Sequence, residues 1–305
     1  MTPIPRCVDT GLLCSKTMKI AIIGGSGKMG QWFARFLAGE GNDILLLGRD
    51  ENRLRDLRPR LGVDTSASPA DVTGADLIIV SVPMDAFETV VESYARYIAP
   101  GQAVLEVTSV KVRPVEAMHR QLKTKKVLGV HPMFGPGAKD FAGHNFILTP
   151  TNDVENSLAE KVGAFVKNRG GKVRMMSPEE HDKTMAIVLG LPHLIALVAA
   201  DTLLELGDFE EFESIGGTTC KLLLMFADSV LSEDPELYAS LQMNLSGIGE
   251  VHGKLQANLA AWLEIVGGKD KSGFKDRMST LADKRAKSDP DFKKAYQKMY
   301  RALGN

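Results

Sequence analysis

Cysteine is nearly missing from this chain: Cys7, Cys14 and Cys220 are its only three. An odd and sparse set builds no disulfide framework and no metal-ligand spacing. No metal site is therefore expected, and a reducing, cytoplasmic setting is. An excess of one charge is missing too. The 37 Lys and Arg stand against 38 Asp and Glu, for a formal net charge of -1. No global field directs the chain to nucleic acid or to an anionic membrane. No internal repeat or low-complexity tract occurs. Residues 1–17 hold Arg6, Asp9 and Lys16 but no apolar core, so they do not read as a signal peptide. Met18 directly precedes the first strand-like segment, and residues 1–17 are expected to be a disordered tail. A membrane-spanning run is also lacking. Met185–Ala200 is almost wholly apolar, but it falls short of the roughly 20 residues that cross a bilayer, and it carries Pro192 and His193. A buried central helix is expected there.

What is present is an ordinary globular balance, 44% hydrophobic and 25% charged, over 305 residues, enough for two domains. The first half alternates strand-like and helix-like segments. Lys19–Ile23, Asp43–Leu47, Leu77–Val82, Ala103–Val107 and Val127–Val130 read as strands, with helical stretches such as Met29–Ala38 and Glu51–Leu61 between them. This rhythm predicts a doubly wound parallel sheet with crossover helices. Phe146–Leu148 and Lys172–Met176 read as later strands flanking a helix over Val154–Lys167. The pattern changes at Ser177-Pro178-Glu179-Glu180, which offers an N-cap serine, proline at the first helical position and glutamate at the third. Beyond it only helical stretches follow: Glu180–Leu206, Thr218–Leu231, Pro235–Val266 and Gly273–Leu303. The expected architecture is a Rossmann-type α/β domain over 18–177 and an all-α substrate and dimerisation domain over 178–305.

The first strand runs into Gly24-Gly25-Ser26-Gly27-Lys28-Met29-Gly30. Gly25, Gly27 and Gly30 fit G-x-G-x-x-G between a strand and a helix. The first glycine permits the tight turn, the second lets backbone approach a pyrophosphate, and the third lets helix and strand pack closely. The helix N-terminus supplies N–H donors to the anion. Gly25, Ser26, Gly27, Lys28, Met29 and Gly30 are thus candidate dinucleotide contacts, joined by Val82 and Pro83 at the end of the third strand. The second strand ends Leu47-Gly48-Arg49-Asp50. Gly48 stands where an NAD-selective site places an acid for the ribose hydroxyls. Arg49 suits a 2′-phosphate, which favours NADP. NAD is the alternative if Asp50 takes the ribose.

Two loops at strand ends carry candidate chemistry, Val107-Thr108-Ser109-Val110-Lys111 and His131-Pro132-Met133-Phe134-Gly135-Pro136-Gly137. Open α/β sheets place ligands at such ends. His131 can take a proton near neutral pH, and Ser109 can hold its tautomer or a substrate hydroxyl. A histidine that merely caps backbone is the alternative for His131.

At these residues the chain resembles prephenate dehydrogenases of the monofunctional microbial type. The resemblance is carried by Gly25–Gly30, Ser81-Val82-Pro83, Thr108–Lys111, His131–Pro136, Glu180-His181-Asp182 and Asp234-Pro235-Glu236-Leu237-Tyr238, in order, over about residues 19–260. It implies oxidative decarboxylation of prephenate, a small dicarboxylate, to 4-hydroxyphenylpyruvate in tyrosine biosynthesis. His131 would accept the proton of the ring hydroxyl as hydride leaves the same carbon, and Ser109 would hydrogen-bond that hydroxyl. Loss of CO2 would then aromatise the ring. His193 matches a histidine facing substrate, or is a satisfied histidine in an apolar helix. Lys111 matches a basic residue near substrate or cofactor, or is a surface lysine. Glu180-His181-Asp182 is expected to organise the start of the interdomain helix. One departure bears on substrate: where family members carry two arginines, this chain has Lys221 and Ser229. Ser229 cannot clamp a carboxylate, so the charge falls to Lys221 or the substrate differs, with arogenate and 4-amino-4-deoxyprephenate as neighbours. The resemblance and the many apolar helical faces both imply a homodimer. Another two-domain NADP dehydrogenase would lack the His131–Pro136 run. A non-catalytic dinucleotide sensor would not need Ser109 and His131 together.

Overall fold

A computed structural model describes residues 17–303. The tail expected over 1–17 therefore lies, save Thr17, outside the described residues, as do Cys7 and Cys14. Contact density divides the chain into two compact units, the first ending at Thr184 and the second starting at Met185.

The first unit is an eight-stranded sheet with strand order β3-β2-β1-β4-β5-β6-β7-β8. The strands are β1 Lys19–Ile23, β2 Asp43–Leu47, β3 Asp64–Ser66, β4 Leu77–Val80, β5 Ala103–Glu106, β6 Val127–Pro132, β7 Asn145–Thr149 and β8 Lys172–Met175. Helices α1 Lys28–Gly39, α2 Glu51–Leu61, α3 Met84–Ala95, α4 Val112–Gln121 and α5 Asp153–Lys167 connect them. Burial on both faces explains the continuous apolar runs of the central strands. In β1, Ile20 and Ile22 enter one core cluster with Trp32, Leu46 and Ile79. Ala21 and Ile23 enter the other with Leu47, Ile78 and Val80. This is the period of two that a pleated strand imposes.

The sheet is not wholly parallel. β3 to β6 run parallel, but β7 pairs antiparallel with β6, and β8 follows parallel to β7. The reversal extends β6 beyond the expected Val130: His131 pairs with Ile147 and Pro132 with Phe146. His131 therefore stands on a strand rather than in a loop. β3 was not expected, because Asp64-Thr65-Ser66 is short and polar.

Helix α6, Pro178–Met185, begins at the predicted cap, where Ser177 Oγ accepts from Glu180 N at 3.1 Å. The second unit is helical, with α7 Leu191–Leu206, α8 Phe209–Ile215, α9 Thr218–Leu231, α10 Pro235–Asn244, α11 Ile248–Gly267, α12 Lys271–Ser288 and α13 Ala295–Ala302. Three expected long stretches are interrupted; Gly273–Leu303 breaks after Ser288, where α12 ends. Ala186–Gly190 forms a π-helical turn before Pro192, which has no N–H for the regular ladder. Separately, the carbonyl of Gly190 accepts from Gln242 Nε2 at 2.9 Å. The stretch expected over Pro235–Val266 breaks before Gly247, whose φ is +80. Helices α7 and α9 pack through Ala196, Ala200, Leu224, Ala227 and Val230, all buried.

The expectation of a buried central helix is corrected. The 29-residue stretch Pro178–Leu206 is long and apolar enough to cross a membrane by length and composition, yet only 17% of its most apolar window is buried. Ile187, Val198 and Leu204 are all more than half exposed.

Candidate active site

The turn after β1 is built so that only glycine fits. Gly24 has φ +79, and a Cβ there would lie 2.2 Å from the Ser81 carbonyl oxygen. The left-handed turn residue is thus Gly24 rather than Gly25. Gly25 lies against Leu46, and Gly30 packs so closely that a Cβ would fall 2.6 Å from the Gly24 oxygen and 2.8 Å from the Gly25 Cα. Around Gly27, by contrast, a Cβ would meet nothing but the Gly24 oxygen, at 3.3 Å. Gly27 caps the 12-residue α1 without a side-chain hydrogen bond, so backbone N–H groups of Ser26 to Met29 border an open helix N-terminus. Val82 is wedged against this turn, its Cγ1 2.7 Å from the Cβ position of Gly24, and Pro83 starts α3. These residues fit a dinucleotide pyrophosphate.

At the end of β2, Asp50 caps α2: its carboxylate accepts from Arg53 N at 3.0 Å. Such a cap stabilises a helix by about 1 kcal/mol. Arg49 is exposed. Arg53, which the sequence reading overlooked, places its guanidinium 3.4 Å from the Ser26 carbonyl oxygen. Two arginines thus flank the end of β2, and a Cβ at Gly48 would make ordinary contact with Leu54 Cδ2 at 3.6 Å and Ser26 Oγ at 3.7 Å.

The chemistry-bearing residues gather where β5 and β6 end. In the parallel β5–β6 pair Glu106 is level with Gly129, so Ser109 and His131 both come beyond that level at the C-terminal ends of these two interior strands. Ser109 is half-buried, between Thr108 and Val110 in the turn before α4. Glu106 holds this turn by accepting from Thr108 N at 2.8 Å and Thr108 Oγ1 at 2.7 Å. The Lys111 ammonium donates to Glu106 Oε1 at 2.5 Å and to the Thr108 carbonyl at 2.8 Å. Both side chains are 0% exposed. Burial pushes the glutamate up and the lysine down, and each opposes the other's shift by its charge. Breaking such a pair costs about 3–5 kcal/mol, because a charge is left buried alone. This corrects the surface-lysine expectation for Lys111, since its ammonium is enclosed by Glu106 and Thr108. Gly129 leaves the room, as a Cβ there would lie 2.3 Å from Thr149 Oγ1 and 2.9 Å from Glu106 Oε1.

His131 is 6% exposed. Burial is the main cause that holds its pKa well below the ordinary histidine value, followed by the positive charge of Lys111 and then His181. Neutral, the imidazole has a lone pair free to accept a proton, and its lowered pKa makes it a weaker base than a free histidine. Its Nδ1 lies 2.8 Å from His181 Nε2, and His181 Nδ1 lies 2.7 Å from Asp182 Oδ1. Asp182 also accepts from Lys111 N at 2.7 Å and Val112 N at 3.0 Å. His181 and Asp182 were expected only to organise a helix start. Their separation of 50 residues from His131 follows no local period, so only their titratable character was visible beforehand. The loop after His131 is held by aromatic packing. Phe134 lies 4.9 Å from Trp32 and 5.4 Å from Phe146, ring centre to ring centre, and Trp32 Nε1 donates to the Ala138 carbonyl at 2.6 Å.

His193 and Lys221 belong to the second unit. His193, in the first turn of α7, meets Tyr238 edge to face at 4.8 Å, and its buried Nδ1 has no hydrogen-bond partner among the described residues. Burial lowers its pKa. Lys221 is exposed on α9. Ser229, on the same helix, donates its hydroxyl to the Phe226 carbonyl at 2.7 Å. Among the described residues no cluster of His, Cys, Asp and Glu has metal-site geometry.

The nucleotide-binding domain of prephenate dehydrogenase matches residues 33–175, and the dimerization domain of prephenate dehydrogenase matches residues 177–280. A "Probable arogenate/prephenate dehydrogenase" of Methanocaldococcus jannaschii is 33% identical over 269 residues, 87% of this chain and 60% of the relative. A T-protein of Haemophilus influenzae is 26% identical over 87% of this chain and 66% of its own length. The chain thus spans about three fifths to two thirds of these relatives. Prephenate dehydrogenase of Aquifex aeolicus, solved with hydroxyphenyl propionate and NAD+, superposes with a TM-score of 0.74 at 22% identity, covering 90% of this chain and 99% of that one. Synechocystis arogenate dehydrogenase superposes with a TM-score of 0.69 at 18% identity, over 89% of this chain and 100% of that one. At those identities the structures show the fold alone. With both family domains matched in order, over residues 33–175 and 177–280, the chain belongs to the prephenate dehydrogenase family.

Proposed function

We propose that the chain is an NADP-dependent prephenate dehydrogenase that oxidises and decarboxylates prephenate to 4-hydroxyphenylpyruvate in tyrosine biosynthesis. The observation that carries the reading is His131, a buried imidazole held neutral where β5 and β6 end, in a chain with a glycine turn fitted to a dinucleotide. Gly25 to Gly30, with Val82 and Pro83, hold the dinucleotide. The nicotinamide, when bound, supplies the hydride acceptor. His131 takes the proton of the ring hydroxyl while hydride departs from the same carbon. Ser109 hydrogen-bonds that hydroxyl and fixes its direction. The ring carboxylate then leaves as CO2, its bonding electrons completing the aromatic ring and moving onto the ring oxygen, which takes the proton back from His131. The family resemblance assigns His193 and Lys221 to the substrate's polar groups.

NADP is favoured by the end of β2. Asp50 is engaged as a helix cap, and Arg49 and Arg53 offer guanidinium groups to a 2′-phosphate. A second substrate reading rests on Ser229. Its hydroxyl is bonded back to its own helix, so it offers no carboxylate clamp, and arogenate or 4-amino-4-deoxyprephenate stands as the alternative. The apolar exposure of the helical unit and its match to a dimerization domain support a homodimer. The relatives' biosynthetic role supports a cytoplasmic enzyme.

The test presents the purified chain with prephenate, arogenate and 4-amino-4-deoxyprephenate, each with NADP+ or NAD+. Reduced nicotinamide and CO2 are followed together. Equal yields of both from prephenate with NADP+ are expected. Turnover of an amino analogue alone would move the substrate, and turnover of none would overturn the activity.

A further inference from the structure

His131 ends a line of three polar side chains, His131–His181–Asp182, joined at 2.8 Å and 2.7 Å. Their exposures are 6%, 0% and 4%, so water does not compete for these bonds. Both oxygens of Asp182 are acceptors, since Oδ1 faces Lys111 N and Oδ2 faces Val112 N. With backbone donors on either side the carboxylate cannot turn without losing a bond.

The hydrogens along such a line have one consistent arrangement. Asp182 Oδ1 accepts, so the hydrogen between it and His181 sits on His181 Nδ1. A neutral His181 then carries its lone pair on Nε2. His131 must donate to that lone pair from Nδ1, and its own lone pair is left on Nε2. Burial lowers the pKa of both histidines, which keeps them neutral. The charged groups around the line are Asp182 at its far end and the Lys111–Glu106 pair beside it.

We propose that His181 and Asp182 are positioning residues that lock His131 in the Nδ1–H tautomer, so that Nε2 is the nitrogen that receives the substrate proton. A free imidazole side chain favours the opposite tautomer, so the lock has work to do. When Nε2 takes the proton, the Nδ1–H bond to His181 becomes charge-assisted and strengthens. His181 can pass that polarisation to Asp182 through its own Nδ1–H. In the opposite tautomer Nε2 would carry a hydrogen and accept none, as in a catalytic triad whose acid is neutralised. The catalytic consequence rests on the reading of His131 as general base; the tautomer itself does not.

The full-length chain labelled with 15N-histidine tests this near neutral pH. The sequence holds six histidines, and comparison with His131→Asn assigns the signals of His131. The expected pattern in the unsubstituted chain is a protonated Nδ1 and an unprotonated Nε2. In His181→Phe, which fills the space without an acceptor, the pattern is expected to move to Nε2–H or a mixture. Turnover should fall about 10- to 1000-fold with KM for the organic substrate nearly unchanged. His181→Gln, whose amide oxygen can accept from Nδ1, should recover part of both. An Nε2–H signal in the unsubstituted chain, which needs no variant to fold, overturns the proposal. So does an unmoved Nδ1–H signal in folded His181→Phe. If the tautomer moves as expected while turnover survives in both His181→Phe and His131→Asn, the lock stands and the general-base reading fails.

Discussion

A single imidazole, His131, concentrates the consequences at the residue scale. Substituting it as His131→Asn is expected to lower kcat by about two to four orders of magnitude, the usual range for a lost general base, while NADP binding survives. Unchanged turnover would remove His131 from the chemistry. Acid should act through the same burial. Below the ordinary histidine value, about 6.5, the unfolded chain takes up protons at His131 and His181 that the folded chain resists, because burial lowers both. Their contribution to stability is whole above that pH and is lost as pH falls through it. Urea unfolding between about pH 7 and pH 5 should therefore show declining stability, and His131→Asn should flatten part of the decline. The cofactor choice is also a residue matter. Arg49→Ala is expected to weaken NADP about tenfold or more and NAD little, since only NADP presents a phosphate to the lost guanidinium. Equal effects on both cofactors would place Arg49 outside the site.

Among the elements, the junction of β1 and α1 is the least tolerant. At Gly30 a Cβ would meet the Gly24 oxygen at 2.6 Å and the Gly25 Cα at 2.8 Å, both backbone atoms that cannot swing aside. Gly30→Ala is expected to cost about 1–3 kcal/mol and to weaken dinucleotide binding at least tenfold, through displacement of the α1 N-terminus. Thermal melting and a titration with NADPH check both halves; intact binding would show that the turn yields. Much of this junction was legible beforehand, because glycine spacing between a strand and a helix is a local pattern. The bounds of α2 and α9 likewise match the helical stretches expected from the sequence, α2 with Asp50 as its cap. The extension of β6 through His131 was not legible, since it depends on antiparallel pairing with β7. Nor was the π turn over Ala186–Gly190, which interrupts an apolar stretch without a break in its helical spacing.

Over the whole molecule, the unusual quantity is apolar surface left on the helical unit. Ile187, Val198, Leu204, Met243 and Leu263 are each about half exposed or more. A chain with so much apolar surface seeks cover, and a two-fold pair buries the same faces of both copies at once. Sedimentation at several concentrations is expected to give twice the 33.1 kDa of one chain, persisting at low micromolar concentration and in high salt. A fully active monomer throughout would overturn this.

The sequence by itself determined the strand–glycine–helix opening, the change from alternating α/β to all-helical character near Ser177, and the family resemblance, because each is written in local spacing along the chain. It also marked His131 and Ser109 as residues suited to proton chemistry. It did not determine what surrounds them. Lys111 reads as an ordinary cation until Glu106 and Thr108 enclose its ammonium. His181 and Asp182 read as the start of a helix until folding carries them to His131. Only the tertiary structure decides these, because burial and hydrogen-bond partners are set by which segments meet across the fold, and neither leaves a period in the chain.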